Sequence, residues 1–159
     1  MDDIKQKIAT SVYNTIISVL DGKGYETKRD DDNLTAYCHV ESEVLPISFA
    51  VIVDAEKQLL TIVESSSITF PKDSLTDGAV AACVTNCLLV DGAFHFEYAT
   101  GNLLFRISSS FKDSVISADV FEYLLRRTYN TMLTYGPELT KLAKGDIMIG
   151  AYVYFTEEL

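Results

Sequence analysis

Residues 95–108, His-Phe-Glu-Tyr-Ala-Thr-Gly-Asn-Leu-Leu-Phe-Arg-Ile-Ser, restrict the fold of this chain more than any other segment. Gly101-Asn102 is a two-residue hairpin turn with glycine first, the type II′ preference. Closed on that turn, the segment sets Tyr98 opposite Phe105 and Phe96 opposite Ile107 on one face. On the other face Glu97 meets Arg106, and His95 meets Ser108. Apolar pairs with apolar and acid with base, as an antiparallel hairpin with one face on a core requires. The remainder of the chain must therefore supply more strands, and something apolar to cover them.

Further strands precede this hairpin. Tyr25-Glu26-Thr27-Lys28 reads as a short edge strand, and Asp30-Asp31-Asp32-Asn33 is turn chemistry. Leu34, Ala36, Cys38 and Val40 alternate with Thr35, Tyr37 and His39, the period of a half-buried strand. Residues 44–53 and 58–64 are nearly continuous in apolar, β-branched character, joined by the short link Asp54-Ala55-Glu56-Lys57. Symmetric closure sets Val51 opposite Leu60 and Phe49 opposite Ile62.

Three main helices are expected. Residues 2–21 repeat Ile4, Ile8, Val12, Ile16 and Leu20 at helical spacing, with Asp2 and Asp3 at the positive end of the helix dipole. Residues 75–90 are apolar on almost every side, which predicts burial on almost every side. The third helix starts at the N-cap Ser117 and carries Phe121, Leu125, Thr128, Met132 and Tyr135 before Gly136-Pro137, where a break or kink is expected. The tail from Asp146 to Leu159 suits a strand through Tyr152-Val153-Tyr154-Phe155, or a short helix. Strands segregated in hairpins among these helices give an α+β class: a central antiparallel sheet of five to six strands with three main helices. The expected organisation is one domain over residues 1–145, with a tail over 146–159 packed on it.

The balance of 13 Lys plus Arg against 23 Asp plus Glu, net −10, excludes nucleic acid and anionic membranes as natural partners. Three cysteines at no framework spacing, and a start without a signal-peptide pattern, suit a reducing, cytoplasmic setting. The acids gather in turns and termini, such as Asp30 to Asp32 and Glu157-Glu158, while the strands and second helix are almost uncharged. The charge therefore reads as a solubilising shell around an apolar interior.

The order of elements is carried by Phe70-Pro71-Lys72 before the apolar helix, by Asp91-Gly92-Ala93-Phe94-His95-Phe96, and by Gly101-Asn102-Leu103-Leu104-Phe105-Arg106. Ser117 through Tyr135-Gly136-Pro137-Glu138-Leu139 completes it. Over roughly residues 2–145 this pattern resembles the YbjN-type family of bacterial sensory transduction regulators, which share the fold of type III secretion chaperones. The resemblance implies a non-enzymatic dimer that binds other polypeptides, and it supplies no catalytic residue and no cofactor.

Two surfaces follow as candidates. Gly78, Ala79, Ala81 and Ala82 would let two helix backbones approach closely, so a homodimer interface over residues 78–88, with Cys83 and Leu88, is expected. Both faces of the hairpin over 44–64 are apolar, and Ile47, Phe49, Val51, Leu60 and Ile62 are the expected surface for an unidentified protein or peptide partner, unless the tail covers them. Chemistry is the weaker reading. Cys83 and Cys87 share a helix face, which suits a thiol pair or half of a metal site completed by His39, His95 or Cys38; the competing reading is of small hydrophobes in a packed helix. A pocket around His95, Ser108 and Tyr37 is the alternative for a small ligand or an enzyme, but no nucleophile elbow or phosphate loop accompanies it.

Overall fold

The computed structural model describes residues 3–159, apart from the side chains of Ser66 and Ser67. Asp2, expected at the first helix's N-terminus, lies outside the described residues. The chain forms α1 (Asp3–Gly22), β1 (Glu26–Asp30), β2 (Thr35–Val40), β3 (Ile47–Asp54) and β4 (Leu59–Thr69). After a short turn of helix at Lys72–Ser74 come α2 (Leu75–Asn86), β5 (Ala93–Glu97), β6 (Asn102–Ser110), α3 (Ala118–Lys144) and α4 (Ile149–Glu157). The strands make one antiparallel sheet in the order β1-β2-β3-β4-β6-β5. This is the expected α+β class, with a fourth helix where the tail was open between strand and helix.

Both hairpins form, each in a shifted register. In β3–β4, Val51 lies opposite Ile62 and Phe49 opposite Glu64, a slip of two residues from symmetric closure. Lys57 N donates to Asp54 Oδ1 at 2.9 Å and Gln58 takes a positive φ of 52°, so the turn occupies 55–58. In β5–β6, Phe96 lies opposite Leu103 and Glu97 opposite Asn102, so neither the Glu97–Arg106 nor the His95–Ser108 pairing exists. The two-residue turn gives way to a loop over 98–101 because Gly101 serves the tertiary fold. Its φ is +77°, and its carbonyl accepts from Phe70 N at 2.8 Å, tying the loop to the approach to α2. Both slips are even, so every residue that stays in a strand keeps its face, while Tyr98 passes into the loop.

One face of the sheet is core. Ile47, Phe49, Val51 and Val53 on β3, Leu60 and Ile62 on β4, and Leu103, Phe105 and Ile107 on β6 are buried with α1 and α3. The buried side of α1 is Ala9, Val12, Tyr13, Ile16, Ile17 and Leu20, while Ile4, expected in that stripe, is exposed. α3 begins where predicted, Ser117 Oγ accepting from Val120 N, and stops at Gly145, a left-handed cap. It does not break at Pro137. Met132, Tyr135, Leu139 and Leu142 continue one buried stripe through it. That burial, at about 1.5–3 kcal/mol for each large apolar side chain, outweighs a proline penalty of about 3 kcal/mol. No helix among the described residues is long and apolar enough to cross a membrane.

α2 departs most from expectation. It ends at Asn86 and buries only Gly78, Ala81, Ala82 and Thr85 among its residues, against β5, α3 and α4. Gly78 is required there: a Cβ would sit 2.5 Å from the ring of Phe96 and 2.9 Å from that of Phe70, two rings packed edge to face. The opposite side, with Val80, Cys83, Cys87 and Leu88, faces outward. α4 docks through the buried Tyr152, whose hydroxyl meets Thr85 Oγ1 at 2.6 Å. Burial pushes the Tyr152 phenol up to about 12.

Candidate functional site: the open face of the sheet

With the described helices on one side or at the β5 edge, the other side of the sheet has no cover among the described residues. Strand alternation decides which residues stand there. The registers place Lys28, Tyr37, Ala50, Val63, Arg106 and Ala93 in one row that crosses all the strands from β1 to β5. Tyr37 is 50% exposed and Ile52, one position along, is 37% exposed, while Ala50 and Val63 are half-buried. Between β1 and β4 this face carries a shallow depression of about 490 Å³ lined by Glu26, Lys28, Tyr37, His39, Ser48 and Ser65, among others.

Polar contacts border the apolar row. His39 Nδ1 lies 2.9 Å from Ser48 Oγ, and His39 Nε2 lies 3.1 Å from Glu41 Oε1. A serine, an imidazole and a carboxylate in line suggest nucleophilic chemistry, but the Glu41 side chain is 87% exposed. Water competes for each of these bonds, and no enclosed site strengthens the charge separation that such a line must support. Beneath the face, burial raises the Cys38 thiol, and a contact of 3.6 Å with Thr27 Oγ1 only partly opposes that. Cys38 is therefore an inert core thiol. At the far side, burial and then the Arg106 charge lower the His95 pKa.

The two poles of the row differ. Lys28 stands between Glu26 and Asp30 on the same strand face. Arg106 has Leu104 and Ser108 as strand neighbours on its face, Val63 and Ala93 across from it, and His95 diagonal to it, with no carboxylate among them. Neither cation has an ion-pair partner within 4.0 Å among the described residues.

The residues singled out by sequence are distributed differently. Ile47, Phe49, Val51, Leu60 and Ile62 do line one side of the β3–β4 hairpin, but α1 and α3 cover them. They are core, and the uncovered side is the one with Tyr37, Ala50, Ile52 and Val63. A usable signal lay in bulk: of the two alternating sets on β3, Ile47-Phe49-Val51-Val53 is larger and wholly apolar, whereas Ser48-Ala50-Ile52-Asp54 is smaller and mixed. Gly78, Ala81 and Ala82 face the chain's own interior, Ala79 is half-buried, and Cys83 and Leu88 are exposed. His95, Ser108 and Tyr37 share the open face but no pocket. Tyr37 is on β2 and His95 on β5, at opposite sides of the sheet, while Ser108 Oγ pairs with Thr61 Oγ1 at 3.0 Å. No three metal-capable side chains converge among the described residues.

No protein-family model and no curated protein matches the sequence. Solved structures do match the fold. A chain of the ExsC–ExsE complex matches with a TM-score of 0.60 and 15% identity, over 84% of this chain and 96% of that one. YbjN from E. coli matches with a TM-score of 0.56 and 11% identity, over 84% of this chain and 92% of that one. A chain of the HopA1–SchA chaperone–effector complex matches with a TM-score of 0.51 and 13% identity, over 83% and 95% respectively. The likeness is one of fold, and it is the YbjN and type III secretion chaperone fold that the sequence resembles.

Proposed function

We propose that this chain is a non-enzymatic module that holds a segment of another polypeptide on the open face of its sheet. The observation that carries the reading is the row Tyr37–Ala50–Val63 with Ile52 beside it: apolar, centred on the sheet and uncovered by any helix among the described residues. Two of the structures that share the fold are complexes, ExsC–ExsE and the chaperone–effector pair HopA1–SchA, which supports the same use here. Holding such a segment requires burial of its apolar side chains and no reacting group. The chain's net charge of −10 keeps the loaded module in solution, in the reducing cytoplasmic setting that its three free cysteines suit.

A library of random peptides of about 16 residues, long enough to cross the sheet as a helix rising about 1.5 Å per residue, tests this by display against the full chain. Binders lost on Tyr37→Ala and Val63→Asp are expected. A library that yields none sensitive to either substitution overturns the reading.

The outward side of α2 favours self-association as a second use of the surface. Val80 and Cys83 on α2, and Cys87 and Leu88 just past its end, are exposed, with no charged residue from Gly78 to Leu88. A neutral strip keeps like charges out of the contact between two molecules each of net −10. The homodimer interface anticipated over residues 78–88 is then formed by this outward side with Ala79, while Gly78, Ala81 and Ala82 support it from within. Light scattering at tens of micromolar, a range suited to ordinary dimers, should give twice the monomer mass, and Leu88→Asp should halve it. A monomer throughout that range excludes the dimer.

A further inference from the structure

The charges around the open face specify what kind of segment fits it. We propose that the face takes an amphipathic segment that lies across the strands, its apolar side on Tyr37, Ala50 and Val63 and a carboxylate at the β6 end on Arg106. The inference rests on the open-face reading above and adds chemistry and direction to it. From Lys28 to Arg106 the row crosses four strand intervals, about 19 Å at about 4.8 Å each. A helix of about 13 residues covers that distance at 1.5 Å per residue.

The orientation follows from the unlike poles. Glu26 and Asp30 bracket Lys28 on the same face, so a carboxylate brought to the β1 end meets two acids for one base. At the β6 end Arg106 is exposed and has no carboxylate among its neighbours on that face. A guanidinium presents a planar fork that donates to both oxygens of a carboxylate, and no resident acid has to be displaced first. Between the poles the row has no charge, so side chains crossing it must be apolar to bury without loss.

The prediction runs against the chain's overall field. A molecule of net −10 attracts Lys and Arg, so peptides selected for general attraction are basic. An acidic end among peptides that depend on Val63 or Tyr37 therefore reports the local site. The test uses the full chain and the displayed library, sorted by loss of binding to Val63→Asp or, in case that half-buried position perturbs folding, to the exposed-site change Tyr37→Ala. The expected face-dependent binders have an apolar middle and Asp or Glu concentrated at one end. Synthetic copies should bind Arg106→Glu at least about ten-fold more weakly, the scale of a lost charge pair with repulsion added, and Arg106→Gln should be intermediate. Exchanging the peptide's terminal acids for Lys should restore binding to Arg106→Glu. Face-dependent binders without an acidic end, or ones indifferent to Arg106→Glu, overturn this proposal and leave the open-face reading standing. Absence of any binder sensitive to Val63 or Tyr37 removes both.

Discussion

The two faces of the sheet are built from the same strands and have opposite fates. On β3 the residues Ile47, Phe49, Val51 and Val53 are sealed under helices, while Ser48, Ala50, Ile52 and Asp54 alternate with them and meet solvent in part. Backbone hydrogen bonding is common to both sets, so the difference lies in side-chain bulk and in what packs above. The core face has large branched and aromatic groups because α1 and α3 must be held at side-chain contact. The open face has small and mixed groups, and no described helix packs on it.

The largest expected contrast is between near neighbours on that strand. Phe49→Ala should cost about 3–5 kcal/mol, the range for emptying a buried aromatic site. Ile52→Ala should cost about 1 kcal/mol or less, as a partly exposed position does. Denaturant midpoints measured on both variants check this, and equal losses would erase the distinction between the faces.

Next in size is the contact that anchors α4 behind the covered side. Tyr152→Phe removes the bond to Thr85 but leaves the Thr85 hydroxyl donating to Ala81 O at 2.7 Å. No polar group is left stranded, and the loss should be about 1 kcal/mol. Because the folded phenol is raised from 10.0 to about 12, its contribution is complete below pH 10 and declines as pH rises toward 12. Thermal melts across that window should fall for the native chain, and fall less for Tyr152→Phe.

The smallest effect belongs to the open face itself. His95 has a folded pKa below its ordinary 6.5, from burial first and the Arg106 charge second. The unfolded chain then binds the proton more readily, so stability is full above pH 6.5 and decreases as pH falls through the folded value. His95→Gln should flatten that acid limb of the melting-temperature profile, and an unchanged slope would detach His95 from it.

Much of this architecture was legible because period survives error in register. The helical stripe of α1 and the N-cap at Ser117 could be read directly. The alternation of residues within β5 and β6 was read correctly even though Phe96 pairs with Leu103 and not Ile107, since the slip is even. What could not be read was which of two apolar faces is covered. Ile47, Phe49 and Val51 looked available to a partner because alternation says nothing of where α3 lies. The same blindness affected α2, whose uniform composition hides the inward role of Gly78 beneath Phe96 and the outward position of Cys83. Pro137 was misjudged for the converse reason: a local rule predicted a break, and the burial of Tyr135 and Leu139 on either side overrode it.

The strand order has a kinetic consequence. β1 through β4 each pair with a neighbour in sequence, as do β5 and β6, whereas the β4–β6 ladder joins segments separated by the whole of α2 and β5. The sheet therefore divides into a four-stranded and a two-stranded unit, each formed locally, that meet along one seam from Leu59–Ser110 to Thr69–Asn102. Closing that seam carries the largest chain-entropy cost among the sheet's pairings and is expected to set the refolding rate. Stopped-flow refolding of Ile107→Ala should then show most of the lost stability as slower folding. A change confined to the unfolding rate would place seam closure after the barrier.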